Sequence, residues 1–445
     1  MTKLRRVMEI VALSTVLSAP SAHANDVAEW NALAVQCISL GAGGLAPSRP
    51  GPPGLLDLAI VHAAMHDAIQ AIERKYVPYL ATPAATGQES VAAAAAAAAH
   101  RVLSQRVCPD YVASLDAAFK PYLDGGNPGL KVGVAAGDTL IAEYRVPSPP
   151  PFTPGTAPGE WRPTPPGNLP FGFLFLATTR PFTFDDPSEF RMQPPPPLGS
   201  RRYLRDYNEV KRIGAVESHP AGGACPAPSN TDMARFWSGN FISQWNEAVR
   251  LIALDQQLSI GKAARLMALA NLAAADAAIT VWDSKYTFNF WRPITAIREG
   301  DLDGNNETVG DPAWTPFISS AHFPAGSQTP PYPDYTSGAN GLTGAIVTTL
   351  RLFFKTNRLN FEVYKATPAS VAICTNPRLY QRLSDAAEEV VDARVLLGIH
   401  FRFADEVARR QGTRVAQWVF ERFLRPVHDD DRDPDDKEDQ RGETP

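Results

Sequence analysis

The chain has 445 residues, of which 44% are hydrophobic and 20% are charged, a balance typical of a soluble globular protein with a substantial core. Its formal net charge is only -5 at pH 7. Nucleic-acid-binding proteins normally carry a basic surplus, so this balance argues against a nucleic-acid partner. Helical periodicity recurs along the chain and no strand-rich region is evident, so the predicted fold class is all-α.

Residues 1–24 have the pattern of a secretory signal peptide. A basic start is followed by a short apolar run, and Ala22-His23-Ala24 supplies small residues at a cleavage position. Glu9 within the apolar run is unfavourable for this interpretation. No later stretch has the ~18 uncharged apolar residues that a membrane span needs. The sequence therefore predicts a secreted or periplasmic protein without a membrane span.

The predicted mature chain contains four cysteines, Cys37, Cys108, Cys225 and Cys374. In an oxidising compartment an even number permits two disulfides, by any of three pairings. The cysteines are widely spaced and form no CxxC motif, which disfavours a zinc site. Buried free thiols remain the alternative.

Helices are predicted at residues 26–41, 55–76 and 91–107. The second carries His62 and His66, whose spacing also suits two metal ligands on one helix face. No glutamate lies between them and their neighbours are apolar, so hydrogen-bonded core histidines are the favoured interpretation. The third contains eight consecutive alanines, a composition suited to close helix packing.

Residues 145–200 are rich in proline and have few helical patterns. A loop of this length inside a compact protein is usually functional or a linker. Glu160, Trp161 and Arg162 stand out within it, although simple packing of the aromatic side chain onto the body explains them equally well. The segment is predicted to wrap around the body near the mouth of a site.

Helical periodicity returns at residues 201–212, 232–254 and 261–287, and the last of these leads into the stretch WDSKYTFNFWRP at residues 282–293. Lys285 and Arg292 lie seven residues apart in it, which is two turns within about 20° on a continuous helix. Burying two such cations is costly unless an anion meets them. The stretch is therefore a candidate anion clamp, and Pro293 suits the first turn of a new short helix.

Two later motifs supply further candidates for an anion site. Prolines before Ser337-Gly338 favour an extended approach to a tight turn and a helix start, whose amides and serine hydroxyl suit an anion. Ser-Gly before a helix is equally an ordinary N-cap. Arg394 and His400 lie in an apolar run, about 120° apart on a helix, so their convergence requires a bend at Gly398.

The predicted organisation is one helical domain over residues 25–425, with the oxyanion site within 230–425. Residues 426–445 are polar and mostly charged, and they are predicted to be a disordered tail.

The order and internal spacing of Lys285-x6-Arg292-Pro293, Ser337-Gly338 and Arg394-x5-His400 resemble the signature shared by vanadium-dependent haloperoxidases and type 2 phosphatidic acid phosphatases. The signature spans residues 282–400. The predicted helices at 26–41 and 55–76 also look like the opening of secreted bacterial chloroperoxidase-like members. The resemblance thus covers nearly all of the predicted mature chain, and it implies a helical bundle of the haloperoxidase type.

The resemblance implies vanadate as the cofactor, bound covalently through vanadium to His400, with phosphate as a competing anion. It implies that Lys285 polarises peroxide and that a halide then attacks to give hypohalous acid. Hydrogen peroxide and a halide or small organic substrate are the implied partners. Trp282 and Tyr332 match aromatic positions of the halide pocket. The implied vanadate-binding residues are Lys285, Arg292, Ser337, Gly338, Arg394 and His400.

One position departs from the family pattern. Members usually have Ser-Gly-His, where the histidine is the acid–base group, and this chain has Ala339. General acid–base catalysis is worth about 10²–10⁴-fold in rate, and alanine cannot move a proton. His322, Asp334 and Asn340, acting through a water, are the candidate replacements. The serine usual before Arg394 is Ala393, a lesser change.

Three functions therefore stay open. The leading one is vanadium-dependent haloperoxidase chemistry. The second is an acid phosphatase in which His400 is the phosphohistidine nucleophile. The third is an oxyanion-binding protein without turnover.

Overall fold

The computed structural model describes residues 25–40, 51–123, 126–219, 229–365, 373 and 375–427. These residues contain thirteen α-helices and a two-stranded antiparallel sheet, which confirms the all-α prediction. The predicted signal peptide, Cys225, Cys374 and most of the predicted tail lie outside the described residues. The helices are α1 (Asn25–Leu40), α2 (Pro53–Glu73), α3 (Val91–Val102), α4 (Val112–Phe119), α5 (Gly129–Glu143), α6 (Arg201–Ile213), α7 (Asn230–Phe236), α8 (Phe241–Asp255), α9 (Ile260–Phe288), α10 (Pro293–Arg298), α11 (Gly338–Phe353), α12 (Leu383–Leu396) and α13 (Arg402–Arg422), and the strands are β1 (Arg358–Val363) and β2 (Arg378–Arg382).

The 29-residue helix α9 lies at the centre of the bundle. It packs against α2 on one side and against α11 and α13 on the other, and α3 and α5 extend the layer formed by α2. By length and composition alone, α2 and α9 are apolar enough to cross a membrane. However, 94% of the most apolar stretch of each is buried inside the protein, as in core helices.

The helices α11 and α13 cross at very short range. A Cβ atom at Gly412 of α13 would lie 1.9 Å from the carbonyl oxygen of Gly341 in α11, so only glycine permits this approach. The helix α11 begins immediately after Ser337, and α13 begins two residues after His400. This packing therefore brings the second and third sequence motifs together.

Several helix boundaries differ from the sequence predictions. The helix α2 ends at Glu73, because Arg74 takes a left-handed conformation with φ 58°. The helix predicted over 91–107 is α3 followed by a π-helical turn, Leu103–Val107. The helix predicted over 232–254 is two helices, since the Asn240 side chain accepts hydrogen bonds from the first amides of α8. The helices α4 and α5 and both strands were not predicted.

The proline-rich segment 145–200 lies along α9 and contains only short 3-10 turns as regular structure. At the middle of α9, the Asp276 carboxylate accepts from the amides of Phe182 and Thr183 at 2.6 and 3.1 Å. At its end, the fully buried Trp161 donates its amide to the Asn289 carbonyl at 2.7 Å. Near the predicted site, the Trp282 indole donates to the Gly172 carbonyl at 3.1 Å.

In the amino-terminal part, a disulfide between Cys37 and Cys108 joins α1 to the end of the π-helical turn. His62 Nε2 lies 2.9 Å from Asn31 Nδ2, and His66 Nε2 lies 3.2 Å from the Val77 carbonyl oxygen. Both side chains are fully buried, and burial lowers the pKa of each to about 3. These contacts agree with the interpretation of both residues as neutral core histidines.

Candidate oxyanion site

The two cations of the first motif converge because the chain turns between them. Lys285 lies in the last turn of α9, which ends at Phe288 with Asn289 in a left-handed conformation, φ 44°. Arg292 is the extended N-cap residue of α10. The two residues therefore do not share one continuous helix, the arrangement considered from the sequence. Both side chains are nevertheless completely buried.

Both cations contact the segment that leads into α11. Lys285 Nζ donates to the carbonyl oxygens of Pro333 and Asp334 at 2.6 and 3.0 Å. Arg292 Nε donates to the Tyr332 carbonyl oxygen at 2.7 Å. These bonds hold the extended segment in place and satisfy part of each cation's donor capacity.

The third motif has the bend expected from the sequence. Gly398 has φ 73°, and a Cβ atom there would lie 2.4 Å from the Gly214 carbonyl oxygen, so glycine is required. The bend places His400 beside Arg292, whose Nη1 lies 3.1 Å from Nε2 and 3.4 Å from Nδ1 of the imidazole. Arg394 remains on α12 and donates to the Trp237 carbonyl oxygen at 3.3 Å. The exposed fractions of His400 and Arg394 are 2% and 8%.

Three donors in this region have no well-formed hydrogen bond among the described residues: Ser337 Oγ, which lies near enough to the Asp405 carboxylate to lower the pKa of that group, Arg292 Nη2 and Arg394 Nε. Ser337 is the N-cap of α11, yet its hydroxyl makes no capping bond within the described chain. The first amides of α11, including that of Gly338, have no intrahelical acceptor. An unsatisfied buried donor costs about 1–3 kcal/mol, which a bound acceptor would remove. This donor set fits a tetrahedral oxyanion such as vanadate.

Trp282 and Tyr332, the predicted halide-pocket residues, lie together beside the cations. Their rings are 5.0 Å apart, and the Tyr332 ring centroid is 5.0 Å from Lys285 Nζ and 4.9 Å from the Arg292 guanidinium carbon. Trp282 is buried, whereas Tyr332 and Ala339 are partly exposed. Tyr332 and Ala339 are therefore the residues of this group that reach solvent.

Two buried carboxylates also belong to the site. Asp334 Oδ1 lies 2.7 Å from His400 Nδ1 and 3.6 Å from Arg292 Nη1. Asp405 Oδ1 accepts from Asn340 Nδ2 at 2.8 Å. Burial raises the pKa of Asp334 to about 7, against the opposing charges of Arg292 and Lys285, and raises the pKa of Asp405 to about 8. Sequence reasoning missed Asp405, although an acidic residue in the apolar run after His400 was an available signal.

The pKa values of the basic side chains in the site are lowered. Burial and the charges of Arg292, Lys285 and Arg394 hold the pKa of His400 well below its usual value. Burial, reinforced by the charge of Arg292, also lowers the pKa of Lys285 well below its usual value. Burial lowers the pKa of Arg394 only to about 10, so this guanidinium stays charged at neutral pH. His400 is thus an uncharged imidazole, and its ring nitrogens contact Arg292 Nη1.

The three candidate replacements for the missing histidine lie in different places. Asp334 and Asn340 are fully buried within the site. His322 contacts the Arg235 guanidinium, and its ring lies 5.2 Å from that of Phe317. At the position itself, Ala339 presents only a methyl group, one residue into α11.

Comparisons with known proteins identify relatives of this architecture. Residues 265–429 match the family model of the second helical-bundle domain of VCPO. The vanadium chloroperoxidase of Curvularia inaequalis is 25% identical over 284 residues, which are 51% of this chain and only 45% of that protein. The chain therefore spans less than half the length of that relative.

Solved structures share the fold over most of the chain. A bacterial vanadium-dependent iodoperoxidase superposes with a TM-score of 0.73 at 22% identity, covering 93% of this chain and 99% of its own. A bacterial vanadium-dependent chloroperoxidase in its holo form gives a TM-score of 0.65 at 21% identity, covering 88% and 95%. The predicted haloperoxidase-type helical bundle is confirmed by these likenesses.

Proposed function

Because the chain belongs to the vanadium haloperoxidase superfamily, we propose that it oxidises a halide with hydrogen peroxide at a vanadate held by His400. The proposal rests on buried donors without a well-formed hydrogen bond beside a neutral histidine. Among the described residues these donors include Ser337 Oγ, Arg292 Nη2 and Arg394 Nε. Structural polar groups are normally satisfied inside a protein, so donors left open at one place favour a ligand there.

Each residue has a task that follows from its chemistry. The neutral imidazole of His400 supplies the nitrogen lone pair for the covalent bond to the anion. Arg292 and Arg394 supply positive charge in a water-poor site, where fixed charges act more strongly than in solution. Ser337 and the Gly338 amide donate hydrogen bonds to the same anion. Vanadate, when bound, supplies the Lewis acidity that activates peroxide.

Lys285 lies beside the aromatic pair of Trp282 and Tyr332. Two carbonyl oxygens accept from the Lys285 amine, and an anion bound beside it favours the protonated form, whose third N–H can donate to a bound oxygen. Trp282 and Tyr332 provide an apolar, weakly hydrated surface for a halide beside that amine. Desolvation makes the halide a better nucleophile, and the oxidised halogen leaves along the partly exposed side of Tyr332.

Binding of an oxyanion without turnover is the second candidate, and Ala339 is the observation that favours it. Alanine has no side-chain proton donor, and Ala339 is partly exposed. Phosphate ester hydrolysis suffers most from this loss, because its leaving group needs a proton. Peroxide activation depends less on it, so the haloperoxidase proposal precedes the phosphatase one.

The test is peroxide-dependent bromination by the purified protein, with and without vanadate, beside the Ala339→His variant. The proposal expects vanadate-dependent bromination by the unaltered protein and a gain of about 10²-fold or more in the variant. Activity in the variant alone would support binding without turnover. Phosphate ester hydrolysis that needs no vanadate and is inhibited by it would replace the proposal with the phosphatase alternative.

A further inference from the structure

The two ring nitrogens of His400 have different electrostatic neighbours. Asp334 Oδ1 lies 2.7 Å from Nδ1, an ion-pair contact without well-formed hydrogen-bond geometry, and neither residue is more than 2% exposed. Arg292 Nη1 lies nearer to Nε2, at 3.1 Å, than to Nδ1, at 3.4 Å. An adjacent carboxylate stabilises a proton on the nitrogen that it faces, whereas an adjacent cation disfavours one.

We propose that Asp334 is a positioning residue, which fixes His400 as the Nδ1–H tautomer so that Nε2 carries the lone pair that bonds the tetrahedral oxyanion. A ligating histidine generally needs a partner for its other ring nitrogen, and such partners set both the tautomer and the basicity of the ligating atom. The identity of the anion rests on the proposed function. The tautomer and its dependence on Asp334 do not.

The backbone holds this carboxylate in place from both sides. The Asp334 amide donates to the Phe290 carbonyl oxygen at 2.9 Å, and its own carbonyl oxygen accepts from Lys285 Nζ at 3.0 Å. The preceding carbonyl oxygen, that of Pro333, accepts from the same amine at 2.6 Å. The end of α9 therefore fixes the segment from which Asp334 reaches the histidine.

Asp334 also changes the charge of the site. Lys285, Arg292 and Arg394 contribute three positive charges when protonated, and Asp334 and Asp405 offset two of them when ionised. Loss of Asp334 therefore alters both the tautomer and the total charge. Asp405 provides the matched control, because it is equally buried in the same site but its carboxylate accepts from Asn340 rather than contacting His400.

The direct experiment is nitrogen NMR of the purified, anion-free protein labelled with ¹⁵N-histidine. The chain has eight histidines, so the His400→Gln spectrum identifies the signal of interest. Wild type should show a protonated Nδ1 and an unprotonated Nε2 at neutral pH. Asp334→Ala should lose this pattern, and Asp405→Ala should retain it. A protonated Nε2 in wild type, which needs no variant to observe, would overturn the proposal, as would an unchanged pattern in Asp334→Ala.

Anion binding gives a second readout. Vanadate can bond to the ring nitrogen and sulfate cannot, so the ratio of their affinities isolates that bond from the charge of the site. Asp334→Ala should lower the ratio by about 10-fold or more, the usual cost of losing a partner of a ligating histidine. Asp405→Ala should change both affinities alike. An equal fall of the ratio in both variants would refute a positioning role. If wild type binds neither anion, the proposed function fails, while the NMR result still decides the role of Asp334.

Discussion

Two buried aspartates show how the same side chain serves different purposes at the middle of α9 and beyond its end. Asp276 accepts three short hydrogen bonds, from the Phe182 amide and from the amide and hydroxyl of Thr183. Asp334 lies between His400 and Arg292, yet neither of its oxygens has a well-formed hydrogen bond within the described chain. Burial raises the pKa of each to about 7.

The difference distinguishes a structural anchor, the hydrogen-bonded Asp276, from the candidate ligand site that contains Asp334. A buried polar group whose hydrogen bonds are complete has its partners in the native fold, and it binds the wrapping segment to the central helix. A buried carboxylate among cations, with polar atoms left open, belongs to an arrangement that a ligand completes. The following predictions test that division.

The largest expected effect is on stability. Asp276→Ala should lower the free energy of unfolding by about 3 kcal/mol or more, because three donors lose their acceptor. Asp334→Ala should lower it less, and added vanadate should offset that loss by supplying a new counter-anion to the cations. Urea denaturation with and without vanadate measures both. Equal losses, or no rescue by vanadate, would remove the distinction between the two aspartates.

The next effect is on oxyanion affinity. Arg292→Gln should weaken vanadate binding by about 30-fold or more, since a hydrogen bond to a charged group is worth about 1.5–3 kcal/mol. Arg191→Gln is the matched control. Arg191 donates from Nε and Nη2 to the Asp283 carboxylate at 2.7 and 2.6 Å, near the end of α9 and close in sequence to Lys285. Calorimetric titration should find vanadate affinity unchanged in the control. A similar loss in both variants would mean that the arginine acts through the fold.

The smallest expected effect concerns one of the hydrogen bonds that Asp276 accepts. Thr183→Val keeps the side-chain shape but removes the hydroxyl that donates to Asp276 at 2.6 Å, and it should cost about 1 kcal/mol of stability. Thr178→Val should cost almost nothing, because its exposed hydroxyl makes only a 3.4 Å contact with the Phe175 carbonyl oxygen. Thermal unfolding compares the two variants. Vanadate binding should be unaffected in both.

The parts of the fold that depend on local sequence could be predicted. Periodicity gave the long helices α1, α2, α6 and α9, and the glycine at position 398 marked the bend that brings His400 away from the axis of α12. The break between α7 and α8 was missed, because a cap at Asn240 competes with an uninterrupted apolar pattern. Cysteine pairing could not be chosen, since it depends on which helices meet across 71 residues of sequence.

The candidate site was only partly accessible from the sequence. Motif spacing identified the cations, Ser337 and His400, which the structure brings together. It could not place Asp334 against the Nδ1 side of the imidazole or Asp405 beside Asn340, because both positions depend on the close crossing of α11 and α13 and on the turn after α9. The roles of these residues remain predictions that binding experiments must decide.

Calorimetric titration of the purified protein with vanadate tests the central claim most directly, beside Ser337→Ala and His400→Ala. The account predicts one site per chain, a weaker affinity in Ser337→Ala, and the loss of tight binding in His400→Ala. Absence of binding to the unaltered protein, or an affinity that neither substitution changes, would contradict an oxyanion site at this place.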